Sequence, residues 1–418
     1  MIQQKKYYRN LKDFYKSEYQ SHSVLEIDLK SYQIGPASNL SSALAKCTNL
    51  SNLTLSLEQN KIGSIGVSGL GYGLAKCNNL SILTLNLYNN QIDNEGVLGL
   101  GSALANCTNL SNLTLNLQSN LINAIGASGL CSGLSKCNNL SILSLNLISN
   151  QIGATGASGL VSALVNCTNL SKILNLQYNQ IGEIGASGLG FALAKLNSLQ
   201  NLKLDLGYNK IGAIGVSDLV SALANCSNLS NLTLNLEQNQ IGEIGAQNLG
   251  FALVKCNNLS NLALNLYYNQ IGAVGASGLC NALIDCSNLQ NLDLNLQRNL
   301  IGSIGASGLG SALGKYTNIS GLALNLENNK ISSIGILYLG SALVNCSNLS
   351  NLTLNFGFNQ IDVEGYLGLC STLLICINLS NLTIKLYQNK ISEFEQLKVK
   401  GKCLKSKRLV IFKIINKW

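Results

Sequence analysis

The sequence predicts an α/β solenoid, in which short parallel strands form one layer and helices form the other. An asparagine recurs along the 418-residue chain at steps of 30 residues, with a single step of 29. An isoleucine follows each asparagine by two residues, and a glycine follows by six in all but the last copy. A fixed period of this length indicates a stack of repeated structural units. These ladder asparagines are Asn60, Asn90, Asn120, Asn150, Asn179, Asn209, Asn239, Asn269, Asn299, Asn329, Asn359 and Asn389.

Each repeat contains one predicted strand and one predicted helix. Residues 113–117 (LTLNL) alternate apolar and polar side chains, which is typical of a strand with one buried face. Leu130, Leu134 and Cys137 then recur at helical spacing. A strand–helix unit repeated in this way requires a parallel sheet covered by helices on one side.

The asparagines are interpreted as structural. A ladder amide at the end of a strand can pair with backbone groups of the adjoining turns, which would otherwise be buried without partners. A second column of asparagines lies on the outward side of the strands, where stacked amides can hydrogen-bond along the sheet or, alternatively, contact a ligand. Its members are Asn86, Asn116, Asn146, Asn175, Asn235, Asn265, Asn295, Asn325 and Asn355, and Ser56, Asp205 and Lys385 depart from it.

The strand pattern followed by Asn120, Ile122 and Gly126 resembles a leucine-rich repeat. The helical second half and the repeat length resemble the ribonuclease-inhibitor-like subclass. The resemblance covers roughly residues 24–415 and is matched twelve times. It implies a horseshoe with parallel strands on the concave face and helices on the convex face. It does not select among the inhibitors, GTPase-activating proteins, immune sensors and scaffolds that share this fold.

The predicted organisation has three parts. Residues 1–22 are expected to form a basic and aromatic capping helix, residues 23–403 an array of about 13 repeats, and residues 404–418 a basic C-terminal cap. The spacing of Tyr8, Leu11, Tyr15 and Tyr19 predicts an amphipathic helix over residues 5–20, which covers the first sheet edge or, alternatively, lies on a membrane surface. A degenerate first strand is predicted at residues 24–29, and a last strand at residues 409–412.

Charge and hydropathy narrow the classes of partner. Residues 385–418 contain nine Lys and one Arg against two Glu, so most of the net charge of +9 lies there and the repeats are close to neutral. A nucleic-acid-binding solenoid would carry a basic stripe, so we expect no nucleic-acid partner. The basic tail is interpreted as a solvated cap, with an anionic lipid or polyanion contact as the alternative. No apolar run is long enough to span a membrane, and the N-terminus does not resemble a secretory signal.

The 14 cysteines are predicted to be free thiols. Ten of them share one position of the repeat, which Leu196 and Tyr316 fill in two other copies, so this position requires a buried side chain. Neighbouring helices lie about 8–10 Å apart, too far for a disulfide between adjacent copies. Free thiols predict a reducing, cytoplasmic compartment, and we expect a monomer without cofactor or metal.

Sequence variation between repeats is concentrated at the two positions that precede each ladder asparagine. These positions and the outward strand residues are expected to form the concave face. Their variation is typical of a recognition surface, and also of unconstrained solvent-exposed positions. Aromatic and arginine side chains are common binding anchors. The predicted protein-binding residues are Tyr88, Tyr178, Lys203, Asp205, Tyr208, Tyr267, Tyr268, Asp293, Arg298, Phe358 and Tyr387.

The sequence predicts a protein–protein interaction scaffold rather than an enzyme. His22 is the only histidine, and Gly314-Lys315 is followed by Tyr316 instead of the Ser or Thr of a phosphate-binding loop. Two alternatives remain: a regulator of a small GTPase, similar to a GTPase-activating protein, or a repeat region detached from a larger kinase or sensor protein. The Ran-activating members of the subclass have an acidic tail, whereas this chain ends in a basic one.

Overall fold

The computed structural model describes residues 5–36, 38–162, 171–196, 199–390, 392, 395 and 411–415. The chain forms two compact units, residues 1–209 and residues 210–418. In both units a parallel strand alternates with a helix, so the predicted α/β solenoid is confirmed.

Among its described residues, the first unit contains eight strands, each paired in parallel with the next along the chain. A short 3₁₀ helix, Tyr19–Ser21, precedes the second strand. The elements are β1 Lys5–Tyr8, α1 Leu11–Tyr15, β2 Val24–Asp28, α2 Ser38–Leu44, β3 Asn52–Ser56, α3 Gly63–Leu74, β4 Ile82–Asn86, α4 Asn94–Leu104, β5 Asn112–Asn116, α5 Ala124–Leu134, β6 Ile142–Asn146, α6 Gly153–Ser162, β7 Ser171–Asn175, α7 Gly182–Leu193 and β8 Asn201–Asp205.

In the described part of the second unit there are seven strands with the same parallel pairing. Equivalent residues of successive repeats face one another, as Asn261 faces Asn291. The elements are α8 Gly212–Leu223, β9 Asn231–Asn235, α9 Gly242–Leu253, β10 Asn261–Asn265, α10 Gly272–Leu283, β11 Asn291–Asn295, α11 Gly302–Leu313, β12 Gly321–Asn325, α12 Ser333–Leu343, β13 Asn351–Asn355, α13 Val363–Leu373, β14 Asn381–Lys385 and β15 Ile411–Ile415.

The core lies between the strands and the helices of each unit. In β10, for example, Leu262 and Leu264 are buried beneath the sheet, and Leu279 and Leu283 of α10 are buried as well. These are the positions that the period-2 and helical patterns predict to be apolar. Burial of one layer against the next is what holds each repeat to its neighbours.

The ladder asparagines bridge consecutive repeats. The side-chain oxygen of Asn269 accepts hydrogen bonds from the backbone N–H groups of Asn239 and Ile241, at 2.9 and 3.3 Å. Its side-chain nitrogen donates to the carbonyl oxygens of Leu236 and Tyr267, at 2.8 and 3.2 Å. Asn269 is 0% exposed. The structural interpretation of the ladder is therefore confirmed, since each amide satisfies backbone groups that water does not reach.

The N-terminal segment differs from the predicted single helix. Lys5–Tyr8 is a strand that pairs in parallel with β2, and only residues 11–15 form an α-helix. The Asn10 side chain caps this helix by accepting from the backbone N–H of Asp13 at 2.9 Å. The physical reason is the edge of the sheet: β2 presents unpaired backbone groups there, and a strand satisfies them where a helix would not.

The predicted first repeat strand is confirmed as β2. At the other end, the predicted strand at residues 409–412 is displaced, because β15 spans Ile411–Ile415. Residues 409 and 410, and the proposed cap at residues 404–410 and 416–418, lie outside the described residues.

The cysteines in the described part of the chain are free, and all but Cys286 are buried. Burial raises the pKa of Cys256 to about 12, so this thiol stays protonated and inert near neutral pH. Leu196 and Tyr316 fill the same position in their repeats and are also buried, as predicted. Cys167 and Cys403 lie outside the described residues. Within the described ranges, we find no helix with the length and apolarity needed to cross a membrane.

We expect Asn239→Ala to lower the free energy of unfolding by about 1–3 kcal/mol, because it leaves buried turn groups without partners. These groups include the backbone N–H of Ile211 and the carbonyl oxygen of Glu237. Urea unfolding followed by circular dichroism would measure the loss. The exposed Asn345→Ala is the matched control. Equal stability of the two variants would contradict the role assigned to the ladder.

The N-terminal cap should lose stability as the pH falls below about 6.5, the ordinary pKa of histidine. His22 is 1% exposed, contacts the Tyr8 and Phe14 rings, and bonds through Nε2 to Ser17 Oγ at 2.8 Å. Burial, and secondarily Lys6, lowers its pKa in the folded state. The unfolded chain therefore takes up the proton first, which favours unfolding in acid.

Amide hydrogen exchange of β1 and β2 tests this at about pH 7.5 and about pH 5.5, after correction for intrinsic exchange rates. Protection should fall at the lower pH in the parent protein. His22→Phe retains an aromatic ring and should lose this pH dependence. An unchanged dependence in His22→Phe would assign the effect to another group.

Candidate protein-binding surface

The sheet face is defined here as the outward side chains of the strands together with the two residues that precede each ladder asparagine. The strands bury alternate residues, so the first, third and fifth positions of β10 and β11 lie on the solvent side of the sheet. All eleven predicted binding residues belong to this face. The fold distributes them over both units, with five before residue 210 and six after it.

The asparagines at the fifth strand position form a mixed amide network. Asn295 donates to Asn265 at 2.8 Å, as expected for stacked amides. Asn265 donates instead to the carboxylate of Glu237 at 3.4 Å, and its own oxygen accepts from the backbone N–H of Tyr267 at 3.1 Å. The column therefore supports the turn and also orients the first of the two variable residues.

The residue immediately before each ladder asparagine has a left-handed backbone conformation in every repeat. Its φ lies between 51° and 58° from Gln59 to Gln388. This conformation costs an L-residue about 1 kcal/mol, and glycine and asparagine tolerate it best. Two further positions of the repeat are left-handed: the residue after the ladder asparagine, such as Gln240, and a glycine two residues later, such as Gly242. The predicted anchors that nevertheless occupy the strained position are Tyr178, Tyr208, Tyr268, Arg298 and Phe358.

In the first unit the structure brings together four of the five predicted residues. The Tyr178 and Tyr208 rings are stacked, with centroids 4.1 Å apart and an interplanar angle of 18°. Asp205 accepts a hydrogen bond from the side-chain amide of Gln177 at 2.9 Å, and Lys203 is exposed on the same strand. Tyr88 follows β4 and lies several strands away, so it does not join this group.

In the second unit the main aromatic group surrounds Arg298. The guanidinium carbon of Arg298 lies 5.9 Å from the centre of the Tyr267 ring, and Tyr267 and Tyr268 have centroids 6.0 Å apart. Tyr268, Arg298 and Leu300 line a pocket of about 400 Å³ at the edge of the sheet face. Among the described residues, the ion pairs are Lys5–Glu26 and Lys30–Glu58, so the Arg298 cation has no carboxylate partner there.

Tyr387 has an internal role in addition to its predicted one. Its hydroxyl donates to Glu327 at 2.6 Å, and the side chain of Asn355 donates to both groups. A Cβ added to Gly357 would lie 2.3 Å from the Tyr387 ring, so the glycine leaves room for the Tyr387 side chain to reach Glu327. Desolvation, and then the bond to Glu327, raises the pKa of Tyr387 to about 12. The Phe358 ring packs against it with centroids 5.7 Å apart.

A depression of about 440 Å³ opens on the sheet face over β9–β13. The floor of the depression is low because small residues line it: Ala263 and Ala323 at the third positions of β10 and β12, and Gly321 at the first position of β12. Asp293 of β11 lies between the two alanines and is the only ionisable residue of the lining. Desolvation by the surrounding strands raises the pKa of the Asp293 carboxyl.

A ridge of exposed apolar side chains on the helices was not foreseen from the sequence. Its members occupy the position just before the repeat glycine and are between 55% and 84% exposed. The sequence contains a pattern that indicates these exposed residues, because an apolar residue recurs before the repeat glycine and falls outside the buried stripe of the helix. The members are Ile65, Ile125 and Ile184 in the first unit, and Ile214, Ile244, Val274, Ile304 and Ile334 in the second.

The chain matches a family model described as a leucine-rich repeat. The matched residues are 78–101, 138–161, 167–190, 198–220 and 262–280. These matches, in five repeats, support a leucine-rich repeat protein, and with the parallel strands and alternating helices they define its fold as an α/β leucine-rich repeat solenoid. Such repeats generally mediate protein–protein interaction. A comparison with curated proteins found no match.

The raised pKa of Asp293 predicts a pH-dependent difference between the parent protein and Asp293→Asn. The Asp293 carboxyl holds its proton more tightly in the folded state than in the unfolded state. Its ionisation therefore lowers the free energy of unfolding above the folded pKa, and it has no effect on stability below about pH 3.9, where the group is protonated in both states. We expect Asn at this position to match or exceed the parent stability at neutral pH, with the difference disappearing in acid. Urea unfolding of both proteins between neutral pH and acid would measure this difference in stability.

Asp362→Asn is a control for which we expect the opposite change in stability at neutral pH. The Ser333 hydroxyl bonds to Asp362 at 2.6 Å, and this bond, followed by the backbone N–H of Gly365, lowers the Asp362 pKa. Ionised Asp362 therefore stabilises the fold above its unfolded pKa, and this contribution is lost in acid. The same sign for both variants would refute the environment described for Asp293.

Proposed function

We propose that this protein is an interaction scaffold that binds a protein partner through the sheet face of its second unit. The observation that carries the proposal is the group formed by Tyr267, Tyr268 and Arg298. Two aromatic rings and a guanidinium lie together there, and the pocket beside them also contains Leu300. Tyrosine and arginine are the side chains most often found at the energetic centre of protein interfaces.

Backbone strain supports the same proposal. Tyr268 and Arg298 have φ values of 54° and 55°, where a glycine or asparagine would be more stable. Asn328 shows that the repeat accepts asparagine at this position, with φ of 54°. Gln59 and Gln238 hold the same strained conformation, so the turn imposes it in every repeat. The turn therefore fixes the backbone of Tyr268 and Arg298 before a partner binds, which lowers the entropy cost of binding.

The near-neutral repeats make a protein a better candidate than a nucleic acid, which a basic face would recognise. The stacked Tyr178 and Tyr208, with Lys203 nearby, are proposed as a second contact region in the first unit. A monomeric protein in a reducing, cytoplasmic compartment remains our proposal for its state and location, since the buried thiols are free.

Tyr268→Asn should separate binding from folding. The change removes an anchor and relieves the left-handed strain, so stability should rise by up to about 1 kcal/mol. Recovery of the partner should fall roughly tenfold or more, because interface aromatics carry much of the binding energy. The measurement is quantitative mass spectrometry after pull-down with the full-length chain, together with urea unfolding of the same preparations.

Gln238→Asn is the matched control, since Gln238 has the same backbone conformation, with φ of 51°. It should gain comparable stability and retain full partner recovery. Partner recovery that is unchanged by Tyr268→Asn would overturn the proposal for this face. Equal losses in both variants would show that the turn, and not the tyrosine ring, governs binding.

A further inference from the structure

We propose that the depression over β9–β13 receives a lysine or arginine side chain of the protein partner, whose cationic group pairs with Asp293. This inference rests on the proposed function and specifies the chemistry of the partner. The depression lies on the same sheet face as Tyr267 and Arg298, and Asp293 and Arg298 belong to the same repeat.

The shape of the depression fits a long, thin side chain. Ala263 and Ala323 flank Asp293 on the neighbouring strands, so nothing bulky rises beside the carboxylate. Gly321 adds to the opening, and a Cβ there would lie 2.5 Å from the side-chain oxygen of Asn291. Six other strands have threonine at the position of the alanines, and two of these residues, Thr233 and Thr353, border the depression.

The carboxylate of Asp293 lacks an internal partner. Among the described residues, no ion pair or side-chain hydrogen bond includes it. The neighbouring amides are committed to one another, because Asn291 donates to Asn261 at 2.7 Å and Asn261 donates to Asn231 at 2.6 Å. Asp293 is exposed on the sheet face, so a carboxylate without an internal donor is open there to a ligand that brings one.

Lysine and arginine satisfy both features of the site. Their methylene groups cover apolar surface while the charged end reaches a polar group, which matches an apolar floor with one carboxylate. An acidic side chain would face like-charge repulsion from Asp293, and a purely apolar side chain would leave the carboxylate desolvated without a partner. Because the lining contains no cation, the positive charge must come from the partner.

The test is selection of a displayed library of random twelve-residue peptides on the full-length protein. Selected peptides are then measured against the parent, Tyr268→Asn, Asp293→Asn and Asp285→Asn. Asp285 is exposed in the turn after α10, so its variant removes the same charge from another surface. Ala323→Leu is a second variant, which fills the depression and leaves Asp293 in place.

We expect the selected peptides to be enriched in Lys or Arg at one position. Their affinity should fall roughly tenfold with Asp293→Asn, as for a partly desolvated charge pair, and should also fall with Ala323→Leu. Asp285→Asn should have no effect. Replacement of the enriched residue by norleucine should produce the same loss on the parent protein and no further loss on Asp293→Asn.

Two other results would overturn the inference in distinguishable ways. Peptides that need Tyr268 but show no cationic preference and no dependence on Asp293 would refute this inference and leave the proposed function intact. Peptides that bind independently of Tyr268, Asp293 and Ala323, or the absence of any peptide above background, would refute both proposals.

Discussion

The hydrogen bonds of the buried ladder amides are the constraint on which the rest of each unit depends. Asn269 reaches back into the turn of the preceding repeat and pairs with both donors and acceptors there. A turn that is buried by its neighbours cannot use water for these bonds, and no other uncharged side chain except glutamine offers both an acceptor and two donors. Glutamine is longer by one methylene, so the same geometry requires asparagine at each step.

A turn of constant geometry has a consequence for the side chains around it. The residue before each ladder asparagine is held at positive φ whatever its side chain, from Ser119 to Phe358. The same turn delivers it to the sheet face at a fixed place in each repeat. The side chain at this position can therefore change without altering the fold, and any residue other than glycine or asparagine carries a small, local conformational penalty.

The periodic part of the fold could be predicted from the sequence because its signal is repeated twelve times. The N-terminal segment could not, since Lys5–Tyr8 has no pattern that distinguishes a strand from a helix, and pairing with the β2 edge decided between them. The predicted anchors lie on the sheet face and their role in binding stays a prediction, whereas their contacts were not foreseen. The stacking of Tyr178 on Tyr208 and the bond from Tyr387 to Glu327 depend on side-chain directions that spacing does not specify.

The depression around Asp293 could not be predicted from residue spacing either. Asp293 lies 30 residues after Ala263 and 30 residues before Ala323 in the sequence. The three become neighbours only through the register of β10, β11 and β12. On a face where most outward residues are amides and hydroxyls, one repeat then carries a carboxylate on its strand and a guanidinium at its turn. Opposite charges on the strand and at the turn of one repeat would distinguish the two directions in which an extended segment or a helix could lie. A face built from nearly identical repeats thereby gains the polarity that a selective interaction requires.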